Sequence, residues 1–327
     1  MNKLIVFIIT AVITFNGCKN GPATRKGEII IFHAGSLSVP FKEAASEYKK
    51  NHPGIKILLE PAGSLVCARK VTELKKPCDI VASADYFVIN ELLIPDYTSW
   101  GIKFATNEIV IAFLDKAKYA SEINSENCFD ILLRDDVIYA RSDPDSDPCG
   151  YRTVMVLKLA EKFYGSPGLA DKILSRNKEY IRPKEVDLIA LVESNSVDYM
   201  FQYKSVALQH NMKYIELPDE INLGNSQYND IYRSVSVEVT GSTPSSKMTV
   251  TGEYINYSLT ILENAPNSSE ALDFVAFILG SGGREIFRKN GQEPLFPSLS
   301  EQAGDLPDAL RPYLKNVESE QDDDVKN

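Results

Sequence analysis

Histidine is scarce in this chain, with 3 in 327 residues. The cysteine spacings match no zinc motif either, so a His/Cys metal centre is not expected. Positive charge is also short: 35 Lys and Arg stand against 45 Asp and Glu, a formal net charge of -10. That balance argues against nucleic acid as a partner. It leaves room for a small anion, because neutral donors inside a closed cleft can hold one. Catalytic signatures are missing: the chain has no nucleophile elbow, no metal-ligating His cluster and no phosphate-cradling P-loop. The apolar stretch Leu4 to Phe15, broken by Thr10 and Thr14, is too short to span a bilayer as a mature helix. What is there is an ordinary globular composition, 44% hydrophobic and 24% charged, long enough for two domains.

That short stretch has a different meaning. Lys3, the apolar core and Asn16-Gly17-Cys18 form a secretory signal over residues 1–17. The cysteine points to lipoprotein processing, with Cys18 as the lipidated first residue; a plain signal peptide cut nearby is the alternative. Residues 18–26, rich in Gly, Pro, Lys and Arg, read as a tether. Residues 317–327 read as a disordered acidic tail. Export permits disulfides among Cys67, Cys78, Cys128 and Cys149, which allow three pairings; Cys67–Cys78 with Cys128–Cys149 is the local one.

The mature chain is organised around Ile29 to Pro40. Ile29 to Phe32 suits a parallel strand covered on both faces. Gly35 permits a tight turn, Ser36 and Ser38 are capping types, and Pro40 suits a first helical turn. A helix start there offers unpaired N–H groups to an anion. Pro61-Ala62-Gly63-Ser64 repeats the pattern, and a third strand, Cys78 to Ala82, runs into Ser83-Ala84-Asp85. Strand, helix, strand, helix with short turns predicts an α/β fold with a parallel doubly wound sheet, its strand C-termini on one edge. Ser36 and Ser64 then lie close together.

Phe104 to Phe113 reads as a strand and a crossing point between lobes. The Asp- and Pro-rich loop Arg141 to Arg152 opens a long helix through Tyr164, with Asp147 where caps are common. Pro183 places Glu185 near another helix start, and Val197 to Tyr203 reads as a strand. Val235 to Val239 and Lys247 to Thr251 suit a hairpin, Tyr254 to Leu262 a returning strand, and Gly291 to Pro297 a loop. A chain that leaves one lobe near residue 107 and returns near residue 255 builds two lobes, a double hinge and a cleft.

Several stretches carry a resemblance. His33-Ala34-Gly35-Ser36-Leu37, Pro61-Ala62-Gly63-Ser64, Ala82-Ser83-Ala84-Asp85-Tyr86, Asp147-Pro148-Cys149-Gly150-Tyr151-Arg152, Arg182-Pro183-Lys184-Glu185 and Tyr203-Lys204-Ser205-Val206-Ala207 stand in this order. Together they resemble the tungstate/molybdate-binding proteins of ABC importers, in the branch best known from archaea, over nearly the whole mature chain. The resemblance implies a type II periplasmic-binding fold. Lobe 1 would take residues 27–107 and 253–316, and lobe 2 residues 108–252. It also implies oxo contacts from Gly35, Ser36, Ser64, Pro148, Cys149 and Tyr203, with Asp147 and Glu185 reaching the metal itself. Pro148 has no N–H, so donors at that helix start must come from Cys149 or Gly150. Glu220, in an irregular segment, is the fallback for the second carboxylate. The implied partners are the oxyanion, a membrane permease and, through the lipid, the membrane. A monomer is expected, on the periplasmic or extracellular face, with no cofactor and no enzymatic activity.

The residue types fit that chemistry. Serine hydroxyls and backbone N–H groups donate to oxo groups without countercharge. Carboxylates repel an oxyanion if they face only its oxygens, and help only as oxygen ligands to a hard hexavalent metal. Sulfate and phosphate centres cannot expand in this way. A binding protein for another ligand, such as sulfate or an Fe3+ chelate, is one alternative. A surface hydrolase using Asp147 and Glu185 as an acid/base pair is another.

Overall fold

The computed structural model describes residues 27–314 apart from positions 242 and 244. The expected signal peptide, Cys18, the tether and the acidic tail lie outside the described residues.

β1 (Glu28–Ala34) buries Ile29, Ile31, Phe32 and Ala34 and runs parallel to β2 (Lys56–Ala62) and β3 (Ile80–Ser83). After β1 a single 3-10 turn, Gly35–Leu37, leads into α1 (Ser38–Asn51). α2 (Ser64–Thr72) follows β2, and α3 (Tyr86–Leu92) follows β3. Three parallel strands with immediate helices bring Gly35, Ser64 and Asp85 to one edge, the edge at which such sheets bind ligands. β4 (Ile102–Asn107) completes the first pass through this half.

The run read as one strand over Phe104 to Phe113 breaks at Asn107-Glu108. Asn107 Oδ1 accepts the Glu108 N–H at 3.0 Å there, and the two pieces enter different sheets. β5 (Ile109–Phe113) opens the second sheet, followed by α4 (Cys128–Leu132), β6 (Tyr139–Ser142), α5 (Pro148–Phe163) and α6 (Leu169–Leu174). Then come β7 (Ile181–Arg182), α7 (Leu188–Glu193), β8 (Tyr199–Tyr203), α8 (Lys204–Gln209) and β9 (Lys213–Glu216). The strand order is β7-β6-β8-β5-β9, with β5 antiparallel to both its neighbours. Two short helices, α9 (Asp219–Asn222) and α10 (Asn229–Tyr232), lead to the hairpin of β10 (Ser236–Thr240) and β11 (Lys247–Thr251).

β12 (Ile255–Ile261) returns to the first sheet, antiparallel to β3 and β4. α11 (Ser268–Leu279) and α12 (Ser281–Lys289) then cover it. Phe41, Phe274 and Phe287 meet edge to face beneath them, at centroid distances of 6.5 and 5.9 Å from the Phe41 ring. β13 (Glu293–Leu299) closes the order β13-β4-β12-β3-β1-β2. This strand replaces the loop expected over Gly291 to Pro297. Its Pro294 and Pro297 read as breakers, yet an edge strand tolerates proline because one side of its ladder is unpaired. The returning strand also makes the sheet mixed rather than purely parallel.

All four described cysteines are free and buried, so the local disulfide pairing is not formed. Cys67 donates to the His33 carbonyl and Cys78 to the Ile80 carbonyl. Burial pushes the Cys67 and Cys128 thiols up to about 12. Among the described residues no helix is long and apolar enough to cross a membrane.

Candidate functional site

The site lies where the strand ends of the first sheet meet the helix starts of the second. Contact is close enough to require glycine. A Cβ on Gly63 would overlap the Ser146 carbonyl oxygen and lie 2.9 Å from that of Pro183. One on Gly35 would lie 2.8 Å from Glu185 Oε1. Both glycines belong to the first half and all three obstacles to the second. Gly63 itself has φ -59°, so the close approach, not backbone freedom, excludes a side chain there.

From the first half come two serines, both fully buried. Ser36 Oγ accepts from Tyr257 Oη at 2.9 Å, and Ser64 Oγ accepts from the Ala84 N–H at 3.0 Å. Each hydroxyl proton is therefore left to point elsewhere. From the second half comes Asp147, the N-cap of α5. Its Oδ1 accepts the Cys149 N–H at 3.4 Å, while its Oδ2 is buried with no partner in the protein. Glu185 opens a 3-10 turn, Glu185–Asp187, and neither of its buried carboxyl oxygens has a partner. Tyr203 Oη and Ser142 Oγ are buried and unpartnered in the same half. Buried polar atoms are nearly always hydrogen-bonded, so a group of unpartnered ones gathered in one place is a candidate site.

The electrostatics are equally pointed. Burial pushes the Asp147 carboxyl well above the usual carboxylate range, and the neighbouring Glu185 adds to that. Burial raises Glu185 too, opposed in part by its polar neighbours Asp147 and Ser36. Among the described residues no ion pair reaches either group. The cation nearest in sequence to Asp147, Arg152, is committed elsewhere. Cys149 and Tyr203 are likewise raised, first by burial. Among the described residues no group of three or more His, Cys, Asp or Glu is arranged to hold a metal ion.

The structure thus brings together Gly35, Ser36, Ser64, Asp147, Cys149, Glu185 and Tyr203. Pro148 occupies the first turn of α5 and, lacking an N–H, offers no donor. Glu220 is not part of the group: it is partly exposed on α9, near Tyr164 and Tyr232, so the fallback is withdrawn.

Three features escaped the sequence reading. Gln202 is fully buried, donates to the Glu185 carbonyl at 2.9 Å and accepts the Tyr203 N–H at 2.8 Å, so it sets both residues. Tyr257 reaches Ser36 from the returning strand. The third is an ion pair. Asp85 caps α3 through Oδ1, at 3.1 Å from the Phe87 nitrogen. Its Oδ2 accepts Tyr151 Oη at 2.7 Å and Arg152 Nε and Nη2 at 2.9 and 2.6 Å. Arg152 Nη1 also donates to the Glu253 carbonyl. Burial opposes the charge on Arg152, and Asp85 beside it more than offsets that. This pair fastens α5, and with it Asp147, to the first half. Arg69 adds bonds across the same seam, to the carbonyls of Asp145 and Thr240, both at 2.8 Å. Asp85 and Arg152 both stand in noted motifs, but nothing local pairs them.

Two α/β halves meeting at strand ends and helix starts, with donors and unpartnered carboxylates turned inward, define a solute-binding protein of the type II periplasmic fold. The chain belongs to the bacterial extracellular solute-binding protein family, whose model matches residues 29–293. It is 47% identical over 290 residues to an uncharacterized solute-binding protein of Petrotoga mobilis, covering 88% of this chain and 90% of that one. It is 45% identical over 338 aligned positions to the molybdate/tungstate-binding protein WtpA of Pyrococcus abyssi, covering 94% and 95%. Among solved structures, the periplasmic molybdate-binding protein of Azotobacter vinelandii has a TM-score of 0.59 at 16% identity, covering 81% of this chain and 98% of that one. The sulfate-binding protein SubI of Mycobacterium tuberculosis has a TM-score of 0.57 at 12% identity, covering 82% and 87%. Both share the fold.

A carboxyl raised by folding binds more protons folded than unfolded. Its contribution to stability is complete below about pH 4, the unfolded value, and is lost as pH rises through the folded value. Asp147→Asn keeps an acceptor for the Cys149 N–H and removes the charge. The ligand-free variant should melt a few degrees above wild type near neutral pH, with the gap closing as pH falls toward about 4. Calorimetric scans across that range check this; a gap independent of pH would contradict it. Asp85→Ala leaves Arg152 buried without its carboxylate and should cost about 3–5 kcal/mol in urea unfolding, with Asp85→Ala/Arg152→Met recovering most of it. A loss below about 1 kcal/mol would show the pair to be solvent-screened.

Proposed function

We propose that this chain is the extracytoplasmic binding protein of an ABC importer, capturing tungstate or molybdate between its two halves and handing it to a membrane permease. One observation carries the reading: two buried carboxylates, Asp147 and Glu185, face donor hydroxyls with no cation beside them. In their ionised forms they repel a bare oxyanion such as sulfate. A hexavalent tungsten or molybdenum accepts their oxygens and supplies the missing positive charge. Ser36, Ser64 and the backbone near Gly35 and Cys149 then hold the oxo groups, and Tyr203 contributes its unpartnered hydroxyl. The relatives named as molybdate/tungstate-binding proteins support the ligand class.

In this reading residues 27–107 with 253–316 form one lobe and residues 108–252 the other. The crossings at Asn107-Glu108 and Gly252 to Ile255 form the hinge. Closure buries the anion, and the closed form is what the permease recognises. Processing at Cys18 would tether the monomer to the outer face of the membrane by lipid. An acid/base hydrolase built on Asp147 and Glu185 is not favoured by any feature of the site.

Calorimetric titration tests the function: binding of tungstate and molybdate at about 1 nM, with no heat from sulfate, is the expected result, and silence toward both metal oxyanions would sink it. Asp147→Ala and Glu185→Ala should each weaken binding by about a hundredfold or more. Ser36→Ala should lose about 1.5–3 kcal/mol, the worth of a charge-assisted hydrogen bond. Normal binding by any one variant removes that residue from the site. Gly63→Ala tests closure, because its methyl meets backbone only in the docked arrangement. Affinity should drop by at least about tenfold; unchanged affinity would mean that the halves need not approach this closely.

A further inference from the structure

A directional chain of hydrogen bonds runs from the crossing between the halves to the oxyanion site. It begins at Asn107, the last residue of β4. Asn107 Oδ1 accepts two backbone N–H groups, from Glu108 at 3.0 Å and Ser205 at 3.4 Å. That fixes the amide orientation and turns Nδ2 toward Ser205 Oγ at 2.7 Å and Tyr257 Oη at 3.0 Å. Tyr257 Oη, already accepting from Asn107, has one proton and one remaining partner, Ser36 Oγ at 2.9 Å. Ser36 Oγ accepts that proton, so its own proton is driven into the site. A second contact holds the Ser36 backbone, where Gln292 Nε2 donates to its carbonyl at 3.0 Å. Asn107, Ser205, Tyr257, Ser36 and Gln292 are all at least nine-tenths buried, so water does not compete for these bonds. The ladder between β12 and β4 shifts register between Tyr257 and Ser258, the kind of local irregularity that re-aims a side chain beside a site.

We propose that Tyr257 and Asn107 are positioning residues for oxyanion capture: Asn107 sets the direction of the Tyr257 hydroxyl, and Tyr257 forces Ser36 to act as a hydrogen-bond donor. Neither residue needs to touch the anion. A serine hydroxyl left to itself rotates between donating and accepting. One locked as a donor suits a fully deprotonated oxyanion and faces a protonated one badly, because two protons then compete for one line. The inference rests on the function proposed above and deepens it.

The test is a double-mutant cycle read by tungstate titration on the full mature protein, with Ser36→Ala, Tyr257→Phe and the double variant. Tyr257→Phe removes one buried oxygen and should weaken binding about threefold to tenfold, as for a neutral hydrogen bond. The double variant should bind no more weakly than Ser36→Ala alone, because Tyr257 has nothing to act on once the hydroxyl is gone. Asn107→Asp supplies a second readout. It keeps the acceptor for the two N–H groups but turns the Tyr257 proton toward itself, leaving Ser36 free to face the anion as an acceptor. It should bind more weakly than Tyr257→Phe, and adding Tyr257→Phe to it should restore affinity to the Tyr257→Phe level. A purely structural role predicts additive losses and no such rescue, and either result overturns the relay. If Asn107→Asp does not fold, the Ser36–Tyr257 cycle still decides. Failure of the wild type to bind any metal oxyanion overturns the function and the relay with it, whereas wild-type binding with additive losses overturns the relay alone.

Discussion

Two carboxylates buried without a cation are the constraint on which the rest of this structure depends. Removing a charged group from water is among the most expensive things a fold can do, and proteins ordinarily offset it with a pair or a metal. Among the described residues no cation pairs with Asp147 or Glu185, and burial pushes both toward their protonated forms. A ligand whose central atom accepts oxygen would relieve that penalty; one that presents only oxygen would add to it. Selectivity in this account therefore comes from a destabilised site, and the serines that grip oxo groups contribute affinity but little discrimination.

The surrounding architecture serves to keep that site shut. Gly63 lets the halves approach until backbone meets backbone, and Gly35 leaves room for the Glu185 side chain. The Asp85–Arg152 pair, with Tyr151 on the same oxygen, anchors the helix that Asp147 caps. Gln202 sets Glu185 and Tyr203 from behind. Asn107 and Tyr257 give the facing serine its polarity. Most of these contacts link groups from different strands or helices, so the site depends on the assembled seam.

How much of this was legible in the chain depends on the range of each signal. The strand–turn–helix units around Ser36 and Ser64 were readable because apolar runs, small residues and cap types are local. Asp147 was readable as a cap for the same reason. Glu185 came from motif order alone, since nothing local distinguishes a liganding carboxylate from one that caps a helix. Asp85 and Arg152 lie 67 residues apart, and Tyr257 lies 221 from Ser36, so composition and periodicity could not join them. The strand that breaks at Asn107 looked continuous because Phe104 to Phe113 is apolar on both sides of the break. β13 looked like a loop because its prolines are tolerated only at an edge, and edges are set by topology rather than by sequence.

The central claim is that Asp147 and Glu185 bind the metal rather than the oxo groups. Tungsten L-edge X-ray absorption on the loaded protein addresses it directly, because the edge shape and the nearest-neighbour shell report coordination. A six-coordinate centre, with four short oxo bonds and two longer bonds from carboxylate oxygen, is the expected result. A spectrum identical to that of free tetrahedral tungstate, with four equal oxygens and no longer pair, would contradict it.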